Sequence, residues 1–140
     1  MSLWILDTDH VSLFQRRNPF IVQRVNGVKF EEIAITIITV EEQLGGRFNV
    51  IRNASSSDKL VLAYANFQAN LEFLKPVNLL PFSEAAGNIY NELVKQRIRV
   101  GTQDLRIAAI TLSVNGILVT RNWKDFEKVP NLRLEDWSIS

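Results

Sequence analysis

Short, almost wholly apolar runs recur along the chain between longer stretches of helical periodicity, and this alternation constrains the fold more than any other feature. Leu3 to Leu6, Ile33 to Ile38, Val77 to Leu80 and Ile117 to Val119 are such runs, and Leu132 to Trp137 is a further, less regular strand candidate. A strand apolar on both sides belongs in a sheet covered on both faces, and strands that alternate with helices join in parallel through crossovers. The expected class is therefore α/β. At 140 residues, 46% hydrophobic and 22% charged, the chain has the size and composition of a single domain over 1–140.

The intervening segments carry helix signals. Thr8 or Asp9 is placed to cap a helix through Val11, Leu13 and Phe14, Asn18-Pro19 marks a turn, and Phe20 to Val25 reads as a short helix. Thr39-Val40-Glu41-Glu42 has the form of a capping box, which predicts a helix start at Thr39, although Gly45 and Gly46 weaken the helical pattern beyond it. After the polar break at Ser55 to Asp58, Leu60, Tyr64, Phe67, Leu71 and Leu74 repeat at helical spacing up to Pro76, the pattern of an amphipathic helix. Ser83 and Glu84 open a helix carrying Ile89 and Leu93. Thr102 is the next candidate cap, ahead of Leu105, Ala108, Ala109 and Leu112, and Asn115-Gly116 stops that helix. Asn122 to Phe126 reads as a turn or short helix.

Several function classes drop out on composition. Without cysteine there is no disulfide and no thiolate metal site, and with His10 as the only histidine a zinc site is not expected. The start, MSLWILDTDH, has no basic n-region and reaches two aspartates after a few apolar residues, so it does not read as a signal peptide; no run has the length of a membrane span. A cytoplasmic protein without membrane attachment is expected. The net charge of +1 does not announce a nucleic-acid binder, but between Lys95 and Lys124 there are six basic residues against one acid, Asp104. Arg97, Arg99, Arg121 and Lys124 in that stretch are candidate phosphate contacts, the alternative being a solvated helical face.

In parallel α/β sheets ligands bind beyond the carboxyl ends of the strands. The polar residues there are Asp7 and Asp9 after the first strand, Glu42 in the turn after the second, and Asn122 and Asp125 after the fourth, with Asp104 joining from a helix start. Taken singly, each acid is explained by capping or by the helix dipole. Taken together, successive ends of a right-handed parallel sheet lie on one edge, so the carboxylates converge. Crowded carboxylates raise one another's pKa unless something positive sits among them, and an oxygen-only donor set suits Mg²⁺ or Mn²⁺. Such an ion activates water against phosphorus, and no side-chain nucleophile is then required. His10 adjoins the site but is assigned no catalytic part.

Four segments carry a resemblance to a known family. WILDTDHVSLF resembles the first strand and helix of PIN-domain nucleases, with the leading acid at Asp7. ITIITVEEQLGG is similar to their second motif, a Thr three residues before the acid and a Gly four after it, a register that selects Glu42 with Thr39 and Gly46 over Glu41. GTQDLRIAAITLSVNGILVT resembles the third, an acid before an apolar-Ala-Ala helix, then Asn-Gly and a strand ending in Thr; it selects Asp104. TRNWKDF comes directly after, with Asn122 where many members carry a fourth acid; Asn122 through its carbonyl or Asp125 stands at that position. Within the family the likeness is to VapC-type toxins, and it runs from Trp4 to Trp137.

The resemblance implies a three-layer α/β/α sandwich around a central, mostly parallel sheet. It also implies a Mg²⁺- or Mn²⁺-dependent endoribonuclease with Asp7, Glu42, Asp104 and Asn122 at its site, an RNA substrate, a homodimer, and a small antitoxin as cognate partner. Two other readings remain open. Asp7-Thr8-Asp9-His10-Val11 also fits the start of haloacid-dehalogenase-type phosphatases, with Asp7 as nucleophile and Asp9 as acid and base, although their closing acid pair is absent. A non-catalytic module that binds RNA or a partner through the basic stretch is the other.

Overall fold

The structure is a computed structural model, and it describes residues 2–139. Its centre is a five-stranded sheet of β1 (Trp4–Leu6), β2 (Ile33–Thr36), β3 (Leu79–Leu80), β4 (Ile117–Val119) and β5 (Arg133–Glu135), in the order β3-β2-β1-β4-β5. All four pairings are parallel. The sheet is thus wholly rather than mostly parallel. The helices are α1 (Thr8–Gln15), α2 (Pro19–Asn26), α3 (Ile37–Arg52), α4 (Ser57–Leu74), α5 (Glu84–Lys95), α6 (Thr102–Ser113) and α7 (Trp123–Phe126).

Because successive strand residues point to opposite faces, the sheet divides two cores. Ile5, Ala34 and Leu118 face one side, where Leu93, Ala108 and Ile110 of α5 and α6 pack on them. Their neighbours Leu6, Ile35 and Val119 face the other, against Val11, Ile21 and Trp137. Two apolar faces on each strand explain the unbroken apolar runs in the sequence and give three layers. Among the described residues no helix is long and apolar enough to cross a membrane.

Local chemistry sets the element boundaries, and it moves several of them. The helix after β2 starts at Ile37, not at a cap on Thr39: Thr36 is extended (φ −96°, ψ 159°) and its hydroxyl accepts from the Thr39 amide at 3.2 Å. Ile37 and Ile38 therefore form the first helical turn instead of ending a strand. Gly45 and Gly46 do not interrupt α3. The cap of α1 is Asp7, whose Oδ1 accepts from the His10 amide at 2.8 Å, rather than Thr8 or Asp9. Thr102 is the first residue of α6, and Gly101 takes the cap position. The strand expected at Val77 to Leu80 shortens to Leu79–Leu80, and Leu132 to Trp137 to Arg133–Glu135.

The long helix α4 also faces differently from its apolar stripe. Ala63 and Asn70 are its buried residues, while Leu60, Tyr64 and Leu71 stay exposed and Phe67 meets Phe48 of α3 at 5.2 Å. It packs on α3 and not broadly on the sheet. The Asn115-Gly116 stop divides its labour: Asn115 takes the left-handed conformation (φ 53°), and Gly116 lets the chain pass Ile5, whose Cδ1 would lie 2.5 Å from any added Cβ.

Candidate active site at the carboxyl edge of the sheet

β1 pairs with β2 on one side and β4 on the other, so chain connections leave in opposite directions from the carboxyl ends of β1 and β4 and open a crevice between them. A cavity of about 580 Å³ lies there, lined by Asp7, Thr8, Asp9, Glu42, Asp104, Arg121, Asn122 and Phe126. Each residue arrives for a local reason. Asp7 directly follows β1, its amide bonded to the Val119 carbonyl at 3.1 Å. Glu42 projects from the second turn of α3, a placement fixed by the Thr36 cap. Asp104 sits in the first turn of α6, with no side-chain cap bond competing for that terminus.

Glu42 is held by a hydroxyl. Thr8 Oγ1 donates to its Oε1 at 2.6 Å and lies 3.0 Å from Thr39 Oγ1. Neighbouring Glu41 lies outside the lining and accepts from Gln103 Nε2 at 2.8 Å. Asp104 is half-buried and pushed up to about 6, first by burial and then by the negative charges of Glu42, Asp7 and Asp125. Burial leads the shift, and the three neighbouring acids add to it because like charges disfavour ionisation.

Basic and neutral groups form the rim. Arg121 pairs with Asp9 through Nε to Oδ2 at 2.7 Å and Nη2 to Oδ1 at 3.2 Å, which raises its pKa still further. Asn122 donates Nδ2 to Asp125 Oδ2 at 3.1 Å. Lys128 Nζ lies 3.6 Å from Asp125 Oδ1 and donates to the Arg99 carbonyl at 3.2 Å, joining the 97–99 turn to α7. Arg97, Arg99 and Lys124 are exposed and stand outside the lining, so of the four candidate phosphate contacts Arg121 alone reaches the cavity wall.

Sequence reasoning passed over Thr8, Asp9 as the partner of Arg121, and Phe126 in the wall. It also gave His10 no part, yet the ring is fully buried. Its Nε2 accepts from the Trp137 amide at 3.2 Å, so in the neutral ring the proton sits on Nδ1, which lies 3.3 Å from Asp7 Oδ1 and has no partner meeting hydrogen-bond geometry. His10 thus ties the segment after β5 to the cap of α1. The one cue in the sequence was a polar residue inside the apolar face of α1.

Among the described residues no three Asp, Glu, His or Cys side chains close into a finished metal-binding cluster. The acids stand around the cavity, as mutually repelling groups do. The donor chemistry nevertheless fits a hard divalent ion: carboxylates, an amide carbonyl and hydroxyls, without thiolate and with the one imidazole turned to Asp7 and Trp137.

Fold and site together define a doubly covered, parallel-sheet α/β domain with an acid-lined pocket at its topological switch. No protein-family model matches the chain. It is 32% identical over 142 residues to Ribonuclease VapC2 of Haemophilus influenzae, covering 98% of this chain and 99% of that one. It is 28% identical over 142 residues to the tRNA(fMet)-specific endonuclease VapC of Shigella flexneri, covering 99% and 100%. The crystal structure of VapBC2 from Rickettsia felis bound to a DNA fragment from their promoter superposes with a TM-score of 0.74 at 26% identity, covering 96% and 98%. The chain belongs to the VapC family of PIN-domain ribonucleases.

Proposed function

We propose that this chain is a metal-dependent endoribonuclease and the toxin of a toxin–antitoxin pair, with Asp7, Glu42 and Asp104 holding Mg²⁺ or Mn²⁺ and Asn122 completing the site. The observation that carries the proposal is geometric: Asp7, Glu42, Asp104 and Asn122 line one cavity at the carboxyl edge of the sheet, where burial first, and then the charges of Glu42, Asp7 and Asp125, push the Asp104 carboxyl up to about 6. When bound, the ion would neutralise those charges, activate a water against phosphorus and offset charge on the leaving oxygen. Thr8 holds Glu42 in place through its hydroxyl, and the cap bond to His10 fixes one oxygen of Asp7 while the other stays free. Arg121, presented by Asp9 at the rim, meets the phosphate, with Arg97, Arg99 and Lys124 adding positive field outside the wall.

The substrate class is RNA, supported by the names of the relatives, ribonuclease and tRNA(fMet)-specific endonuclease. A small antitoxin partner is supported by the likeness to VapBC2. A homodimer in the cytoplasm completes the proposal. The phosphatase alternative is not favoured: the Asp9 carboxylate is held by Arg121, and the family points to nucleases. Cleavage of RNA by the purified chain should cease in excess EDTA and return with Mg²⁺ or Mn²⁺. Undiminished cleavage under chelation would remove the metal from the proposal, and binding without cleavage in any metal would leave the non-catalytic module.

A further inference from the structure

The acid-lined cavity is not closed on the α1 side. It shares Thr8 and Glu42 with a second cavity of about 500 Å³ over the seam between α1 and α3. That one shares Gln15, Arg47 and Asn70 with a third, of about 600 Å³, floored by Phe14 and Phe73. The three form one continuous groove leading away from Glu42. Beyond that residue its lining holds three cations, Arg16, Arg17 and Arg47, and no further acid. Among the described residues none of the three is in a salt bridge.

Between the cations lies a set of amides bonded to one another, Gln15 and Gln43 half-buried and Asn70 buried. Gln15 Nε2 donates to Gln43 Oε1 at 3.2 Å and Gln43 Nε2 returns a bond to Gln15 Oε1 at 3.1 Å. Asn70 Nδ2 also donates to Gln43 Oε1, and Arg47 Nε donates to Asn70 Oδ1, both at 3.1 Å. A reciprocal amide pair shows that each side chain presents an adjacent donor and acceptor. A nucleobase edge offers the same pairing, as glutamine does with N6 and N7 of adenine. Guanidinium groups without a carboxylate partner, exchangeable amides and a short aromatic floor match a single nucleic-acid strand: phosphates, one base edge and one base face.

Resting on the ribonuclease reading above, we infer that this groove holds the RNA strand on one side of the cleaved phosphate. Arg16, Arg17 and Arg47 meet its phosphates and the Gln15–Gln43 pair reads one base edge. Single-stranded RNA lies along α1 and α3, and sequence preference arises where the two helices meet, at the Gln15–Gln43 pair beside Glu42.

The test reads binding alone, by fluorescence anisotropy of the full chain with labelled single-stranded RNA of about 16 nucleotides in EDTA across a salt series. Neutralising Arg16, Arg17 and Arg47 together to Gln should flatten the slope of log affinity on log salt by about 2, since each phosphate contact in single strands contributes roughly 0.7. Arg16→Gln with Arg17→Gln, exposed residues just past the end of α1, should flatten it by about 1.4 even if the Arg47 change disturbs folding. Arg52→Gln, on α3 outside the groove, should leave it nearly unchanged. Oligoadenylate should bind better than oligouridylate, and Gln15→Leu with Gln43→Leu should remove a preference of roughly five- to 150-fold. An unchanged slope in the triple variant overturns the groove as the strand's path, and so does lost affinity for polyglutamate with unaltered RNA binding, which marks a peptide site. Absence of base preference overturns the assignment of the amide pair. A chain that binds through the groove yet never cleaves RNA loses the ribonuclease reading and keeps the groove, whereas cleavage with unaltered groove variants does the reverse.

Discussion

Glu42 and Asp104 test the same hypothesis from opposite directions. Glu42 sits in the second turn of α3, so it owes nothing to capping, and glutamine retains the oxygen that accepts from Thr8. Glu42→Gln should therefore melt close to the native chain while turnover on RNA falls by about 10²-fold or more, the scale of losing one charge-stabilising group. Glu41→Gln, bonded to Gln103 and outside the cavity, should change turnover little; equal losses from both would dissolve the assignment. Asp104 carries a cost of its own. Its folded pKa of about 6 lies above the ordinary 3.8, so between those values the folded state binds more protons, and stability falls as pH rises through the window. At pH 8 without metal the ionised carboxyl costs about 1 to 2 kcal/mol after allowance for solvent screening. Asp104→Asn should recover that amount at pH 8 and nothing at pH 3, read by denaturant titration at the two pH values.

At the scale of elements, much was legible because two-faced apolar strands and helical periodicities are strong signals. β1, β4 and the helix containing Asp104 lie where the sequence placed them, give or take a residue. What misled was competition between caps: Thr36 and Thr39 are both fully buried threonines, and what decides between them is that Thr36, extended at the end of β2, takes the Thr39 amide on its hydroxyl. That decision turned Glu42 from a capping residue into a cavity wall. The apolar stripe of α4 misled differently, since periodicity shows that a helix has an apolar side and not that this chain covers it. Thr8 as a brace for Glu42 was invisible because α1 and α3 meet only in three dimensions. Thr36→Val should cost about 1 kcal/mol in urea unfolding, the worth of a helix cap. Thr36→Ser should restore most of it, because the hydroxyl is the group at issue; a serine variant no better than valine would assign the loss to packing.

For the whole molecule, a net charge of +1 conceals a division into an acid-lined pocket and basic surroundings, and the pocket's repulsion is a stability reserve that a cation can release. A ligand that binds only the folded state stabilises it by about 2.7 kcal/mol at a hundred times its dissociation constant. For a chain of this size that raises Tm by about 3 to 5 °C per kcal/mol, so scanning calorimetry at pH 8 should show a rise of roughly 10 °C as Mg²⁺ or Mn²⁺ is titrated to saturation. On the proposed reading the acids act as one unit in binding the ion. Glu42→Gln or Asp104→Asn alone should therefore shrink the rise sharply, while Glu41→Gln leaves it intact. The baseline separates the two variants: Asp104→Asn begins higher than the native chain at pH 8 because it removes a charge that is costly to bury and repelled by its neighbours, and Glu42→Gln, still bonded to Thr8, begins near it. A metal-dependent rise that survives both substitutions would place the ion elsewhere on the molecule, and no rise in the native chain would mean that the carboxylates, though crowded, do not bind as a set.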